Sequence, residues 1–140
     1  MESSSNPKYL LEIEIKALPP SPNSYGSAGA RQVVARHRKE WRQRVALIVG
    51  FRRPPHPLTK AIVICTRYST RAMDYDNRAM SFKPVVDGLV DARVLVDDSD
   101  EIVVYRDYPM KKCKAGGEKI TIRVEEVTLA DLAHCLLCKK

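Results

Sequence analysis

AIVICTRYSTRAMDYDNRAMSFKPVVDGLVDARVLVDDSDEIVVYRDY, residues 61–108, is the stretch on which the fold turns. Its first eight residues are dominated by β-branched and apolar side chains and predict a strand. Residues 77–90 read as mostly helical, with Pro84 suited to a first-turn position and so to a break just ahead of it. Residues 102–108 predict another strand. Strand, helix, strand is the pattern of a mixed domain, and such a helix is expected to carry the chain back toward the first acidic residues.

Upstream, residues 9–16 alternate: Leu11, Ile13 and Ile15 fall on one side, Glu12, Glu14 and Lys16 on the other, as in a half-buried strand. Pro19-Pro20-Ser21-Pro22-Asn23-Ser24-Tyr25-Gly26 cannot continue that strand and predicts an ordered loop. From about residue 29 to 48 the period turns helical, with Val34, Trp41, Val45 and Ile48 in one narrow sector. Arg31, Arg38 and Arg42 form a basic stripe beside it, and Gly50 and Pro54-Pro55-His56-Pro57 end the helix. Downstream, residues 102–108 and 119–127 predict a hairpin across the basic turn 111–117. Residues 128–138 predict a short helix capped by Thr128, with Asp131 in the capping-box position. The expected organisation is one α/β (α+β) domain over residues 9–127, a mixed β-sheet with helices packed on it. A disordered segment, 1–8, precedes it, and a helix or tail, 128–140, follows.

A chain of 140 residues suits one modest core. It holds no run of apolar residues near the length of a membrane span and no secretory signal, so an intracellular, cytoplasmic protein with free thiols is expected. Charge is unevenly spread. Residues 31–60 carry nine basic residues against Glu40 alone, whereas residues 74–101 carry eight acidic against Arg78, Lys83 and Arg93. A basic segment beside an acidic one points to a polyanion held close to carboxylates, with a divalent cation between them.

Asp74 and Asp76 supply the first carboxylates. On an extended segment, residues two apart face the same way and can share an ion. Asp97 and Asp98 supply a second pair. Carboxylates with no nearby His or Cys make a hard oxygen site suited to Mg²⁺ or Mn²⁺, the kind that hydrolyses phosphodiesters. The plainer alternatives are that Asp76 or Asn77 caps a helix and that residues 97–100 form a solvated turn.

Four motifs then occur in order: Pro19-Pro20-Ser21-Pro22-Asn23; Asp74-Tyr75-Asp76-Asn77; Lys83-Pro84-Val85-Val86-Asp87-Gly88-Leu89; and Asp97-Asp98-Ser99-Asp100-Glu101-Ile102. Together they resemble the RusA family of Holliday junction resolvases over about residues 9–127. The resemblance implies catalytic carboxylates at Asp74, Asp76 and Asp98, with Asp97 as a neighbouring metal ligand, and a functional lysine at Lys83. The interval from Asn77 to Lys83 is about three residues longer than in the best-known member. Also implied are Mg²⁺ as cofactor (Mn²⁺ substituting), no organic cofactor, a homodimer and a bacterial or phage origin. The substrate would be branched DNA, the four-way junction, cut by paired nicks.

Asn23, Arg31, Arg38, Arg42, Arg52 and Arg53 are the expected DNA contacts, of the phosphate-positioning kind. A solvated helix face is the alternative for the arginines. Tyr25 and Trp41 are possible base-stacking residues, although Trp41 lies in the apolar sector and is better read as core. His134, Cys135 and Cys138 resemble half of a zinc knuckle, but no second Cys pair completes four ligands. The competing functions are a branched-DNA-binding protein without turnover and a metal-dependent nucleotidyltransferase. The latter needs a Gly-Ser loop ahead of its acids, and Gly26-Ser27 lies far upstream.

Overall fold

The computed structural model describes residues 8–21 and 30–138, with residue 30 and residues 134–138 described by backbone alone. Alternation builds the sheet. In β1 (Leu10–Ile15), Leu11, Ile13 and Ile15 are buried and the residues between them exposed. β5 (Lys119–Glu126) repeats the pattern with Ile120, Ile122 and Val124, and pairs antiparallel with β1 so that Ile13 faces Ile122. On its other side β5 pairs antiparallel with β2 (Ala61–Ser69), setting Val124 against Val63, Ile122 against Cys65 and Ile120 against Arg67. β3 (Val103–Asp107) and the short β4 (Met110–Lys112) both run parallel to β2, along its first and last residues respectively. The order is β1-β5-β2-β3, with β4 beside β2.

The expected hairpin between residues 102–108 and 119–127 does not form, because β2 lies between β3 and β5. The apolar run of β2 is the physical reason. A strand with Ile62 and Ile64 on one face and Ala61, Val63 and Cys65 on the other is best buried as a central strand with neighbours on both sides. A parallel neighbour requires a crossover. That crossover is α2 (Tyr75–Asp91).

α2 is continuous through Pro84, which is buried ten positions into it, so no break precedes the proline. A proline inside a helix costs about 3 kcal/mol. Phe82, Val85 and Val86 flank it and are buried, each contributing about 1.5–3 kcal/mol by leaving water, which outweighs that cost. α1 (Ala30–Val49) buries Trp41, Val45 and Val49, a stripe of spacing four; Val34 and Ile48, expected in it, are only half-buried. The two helices touch at Gly88, where an added Cβ would stand 2.8 Å from Val45 Cβ and 3.0 Å from the Arg42 carbonyl oxygen. Arg42 then clasps Asp91 with two hydrogen bonds of 2.8 Å.

α3 (Leu129–Cys138) begins with the expected capping box: Asp131 N–H donates to Thr128 Oγ1 at 3.1 Å, and Thr128 N–H to Asp131 Oδ2 at 2.9 Å. Lys8 pairs with the same carboxylate at 3.1 Å, so the one residue of the expected disordered segment 1–8 that is described here has a fixed partner; residues 1–7 lie outside the described residues. Among the described residues, no helix is long and apolar enough to cross a membrane.

Candidate active site

The start of α2 places the first acidic motif. Asp74 is the N-cap, with extended backbone (φ −68°, ψ 162°), and its Oδ1 accepts the Asn77 N–H at 3.1 Å. Tyr75 and Asp76 are already helical. The extended geometry expected to align Asp74 with Asp76 is therefore replaced by a helix turn, where residues two apart diverge by about 200°. Arg78 locks this helix start by donating to the carbonyls of Tyr108 and Met73. Its guanidinium lies 5.3 Å from the Tyr75 ring centre.

The second acidic motif lies in the loop between α2 and β3 and meets α2 at Lys83. Lys83 Nζ donates to Asp98 Oδ2, and to Asp87 Oδ1 at 2.9 Å. Burial pushes the Lys83 ammonium down, but its hydrogen bonds to the two carboxylates more than reverse this and leave it raised. The Lys83 hydrogen bond in turn holds Asp98 below the usual carboxylate range. Asp97 is exposed. With a rise of about 1.5 Å per residue, Lys83 lies about 13 Å along the axis from Asp74. Among the described residues, no three His, Cys, Asp or Glu side chains stand close enough to hold one metal ion. A long helix carries the chain away from its start, so the expected return of Asp98 to Asp74 is not observed within one chain.

What the start of α2 does meet is the proline segment. A cavity of about 610 Å³ is lined by Leu18, Ser21, Arg67, Ser69, Arg71, Asp74, Asn77 and Glu118, among others. Arg67 ties the proline segment to β2 by donating from Nη1 to the Pro19 carbonyl at 3.1 Å. The donors here suit a hard cation: Asp74 keeps Oδ2 clear of its capping bond, and Glu118 adds a second carboxylate. Mg²⁺ is commonly held by one or two carboxylates together with substrate phosphate and water, so this set fits it without Asp98.

Of the expected DNA contacts, Arg31, Arg38 and Arg53 are exposed. Arg42 is engaged with Asp91, and Arg52 donates to the Ile48 carbonyl at 3.1 Å, closing the end of α1. Asn23, with Tyr25 and Gly26-Ser27, lies outside the described residues, as do the side chains of His134, Cys135 and Cys138. Trp41 is core, under the Arg44 guanidinium at 4.7 Å. Sequence reasoning missed Arg67, Arg71 and Glu118, and gave Asp87 only as a motif residue without a role. Arg67 had a signal: the apolar row Ala61, Val63, Cys65 continues at position 67 with a charge.

A comparison with models of known protein families matches none of them, and a comparison with curated proteins finds no match.

Proposed function

We propose that the protein is a Mg²⁺-dependent endodeoxyribonuclease that resolves branched DNA, similar to the RusA family of Holliday junction resolvases. One observation carries the reading. Ser21 of the proline segment and Asp74 and Asn77 of the acidic motif, remote in sequence, line a single cavity together with two arginines. Residues of two of the four motifs behind the resemblance thus border one cavity, which supports the reading.

In this reading Asp74 and Glu118 hold the cation, and Asp76, turned away from Asp74 in the first turn of α2, joins them only if that turn rearranges. Mg²⁺, or Mn²⁺ in its place, supplies a water of lowered pKa and polarises the phosphate. The arginines of the cavity fix the scissile strand, and Arg31, Arg38 and Arg53 add contacts that position the backbone without reading bases. Bringing Asp98 into the set takes either a turn of its loop away from Lys83 or a second chain. A C₂ homodimer offers two such sites for two symmetric nicks on a four-way junction. A bacterial or phage-encoded enzyme of this kind works in the cytoplasm, where its DNA is.

The separation of Asp98 from Asp74 favours one further reading, a branched-DNA-binding protein without turnover. A strand-resolved cleavage assay on a mobile four-way junction, with and without Mg²⁺, decides between them. Symmetric metal-dependent nicks support the nuclease; tight binding with no nicks at any Mg²⁺ or Mn²⁺ concentration overturns it.

A further inference from the structure

We infer that the Arg67 end of the cavity is an anion site that takes a phosphate group of the DNA strand, gripped by Arg67 from the sheet and by Arg71 from the loop before α2. The inference rests on the nuclease reading for the source of the phosphate and deepens it by naming what the cavity holds.

Arg67 is the reason. It sits on the helix-facing side of β2 in the row of Ala61, Val63 and Cys65, and is only 9% exposed. A guanidinium has five N–H donors and no acceptor, so burial is tolerated only where acceptors meet it. Nη1 has the Pro19 carbonyl. Nε is buried and has no hydrogen-bond partner among the described residues. Neither acid of the cavity makes a hydrogen bond or ion pair with it among the described residues: Asp74 Oδ1 accepts from the Asn77 backbone and Glu118 Oε1 from the Gly116 backbone at 2.8 Å. Burial and the positive charge of Arg78 both push the Arg67 pKa down, the condition of a cation short of a counter-anion.

The rest of the cavity supplies what a phosphate needs. Arg71 is exposed and lines the same space, and the loop that carries it is braced by Ser69 Oγ donating to the Arg71 carbonyl at 2.9 Å. A tetrahedral anion with several acceptor oxygens can take Arg71 and the Arg67 Nη2, which makes no hydrogen bond among the described residues, at once, whereas a water can accept from Nη2 without balancing its charge. Asp74 and Glu118 repel the same anion, so it is held at the arginine end with its remaining oxygens toward the acids. A divalent cation bound by those acids would meet it there.

The test uses the full chain in EDTA. The Arg67 Nε–H NMR signal, assigned by its loss in Arg67→Lys, is followed during titration with inorganic phosphate and then with a 5′-phosphorylated oligonucleotide, against chloride at equal ionic strength. A saturable shift with both phosphate probes and none with chloride is expected. Arg67→Lys and Arg71→Ala should each weaken oligonucleotide binding about tenfold, the scale of one charge-assisted hydrogen bond. A silent Arg67 signal, or wild-type binding by Arg71→Ala, overturns the site. Should Arg67→Lys fail to fold, the signal is assigned instead by through-bond correlation to the Arg67 backbone, and the wild-type titration and Arg71→Ala decide. If phosphate shifts Arg67 but junctions are never nicked, the nuclease reading falls and the anion site stands. If junctions are nicked while Arg67 stays silent, the site falls alone.

Discussion

Lys83 joins α2 to the loop ahead of β3 by donating to Asp98, fifteen positions away, while Asp87 one turn further along α2 accepts from the same ammonium at 2.9 Å. Arg106 supports the arrangement from β3 by donating to the Asp98 carbonyl at 2.6 Å. The ammonium therefore stands between two carboxylates, about 13 Å along the helix axis from Asp74.

This pairing has a pH signature. Asp98 is held below its usual 3.8, so its share of stability is complete above that pH and is lost as pH falls through the lower folded-state value. Lys83 is raised above 10.5, so its share persists through neutral pH and is lost only on strongly alkaline titration. Lys83 is 54% exposed, which limits the pair to about 0.5–1 kcal/mol. Urea midpoints of wild type and Lys83→Met should differ by a constant amount from pH 5 to 8 and converge on acidification below about pH 4. A gap that widens in acid would contradict the pairing.

Asp74 combines a cap with a candidate ligand, and the two roles separate by substitution. Asparagine caps a helix as well as aspartate does, so Asp74→Asn should melt within about 0.5 kcal/mol of wild type, whereas Asp74→Ala should lose about 1 kcal/mol. Metal-dependent nicking should vanish in both. Junction binding measured in EDTA should survive in Asp74→Asn.

Gly88 allows α1 and α2 their close approach. A methyl group there would stand 2.8 Å from Val45 Cβ and 3.0 Å from a backbone oxygen, and neither neighbour is the free end of a flexible chain. Gly88→Ala should destabilise by about 1–3 kcal/mol despite alanine's better helix propensity. Chemical denaturation monitored by circular dichroism measures the difference.

Arg93 ends α2 in the left-handed region at φ 64°, a conformation that costs a residue with a Cβ about 1–2 kcal/mol. Its side chain is exposed. Arg93→Gly should therefore raise stability by about 1 kcal/mol, seen as a higher thermal midpoint at unchanged DNA affinity.

Cys65 and Cys113 should differ in reactivity. Cys65 is fully buried in the central strand, and burial pushes its thiol up to about 12. Cys113 is partly exposed. Brief alkylation at pH 8 followed by peptide mass spectrometry should find Cys113 modified and Cys65 untouched, with Cys65 reacting only in denaturant. Modification of Cys65 in the folded chain would show that the core opens locally.

Much of the secondary structure was legible in the sequence, and the reason is that its determinants are local. The alternation of Leu11, Ile13 and Ile15 needs only neighbouring residues, and the Thr128–Asp131 capping box spans four. Pro84 misled because its local cost is real, and only the burial of Phe82, Val85 and Val86 against the sheet shows it to be outweighed. Asp74 and Asp76 misled in the same way. Their two-residue spacing implies a shared side in a strand and opposite sides in a helix, and the helix begins at Tyr75, two residues earlier than that reading required.

By itself the sequence determined a mixed α/β chain, most of its strands and helices, and the cluster of acidic and basic residues, because periodicity, capping and charge are properties of nearby positions. Only the tertiary structure decided that β2 parts β3 from β5, that Lys83 pairs with Asp98, and that Ser21 lines one cavity with Asp74 while Arg67 donates to the Pro19 carbonyl. Those relationships depend on which elements bury one another, and burial is settled by the whole chain at once.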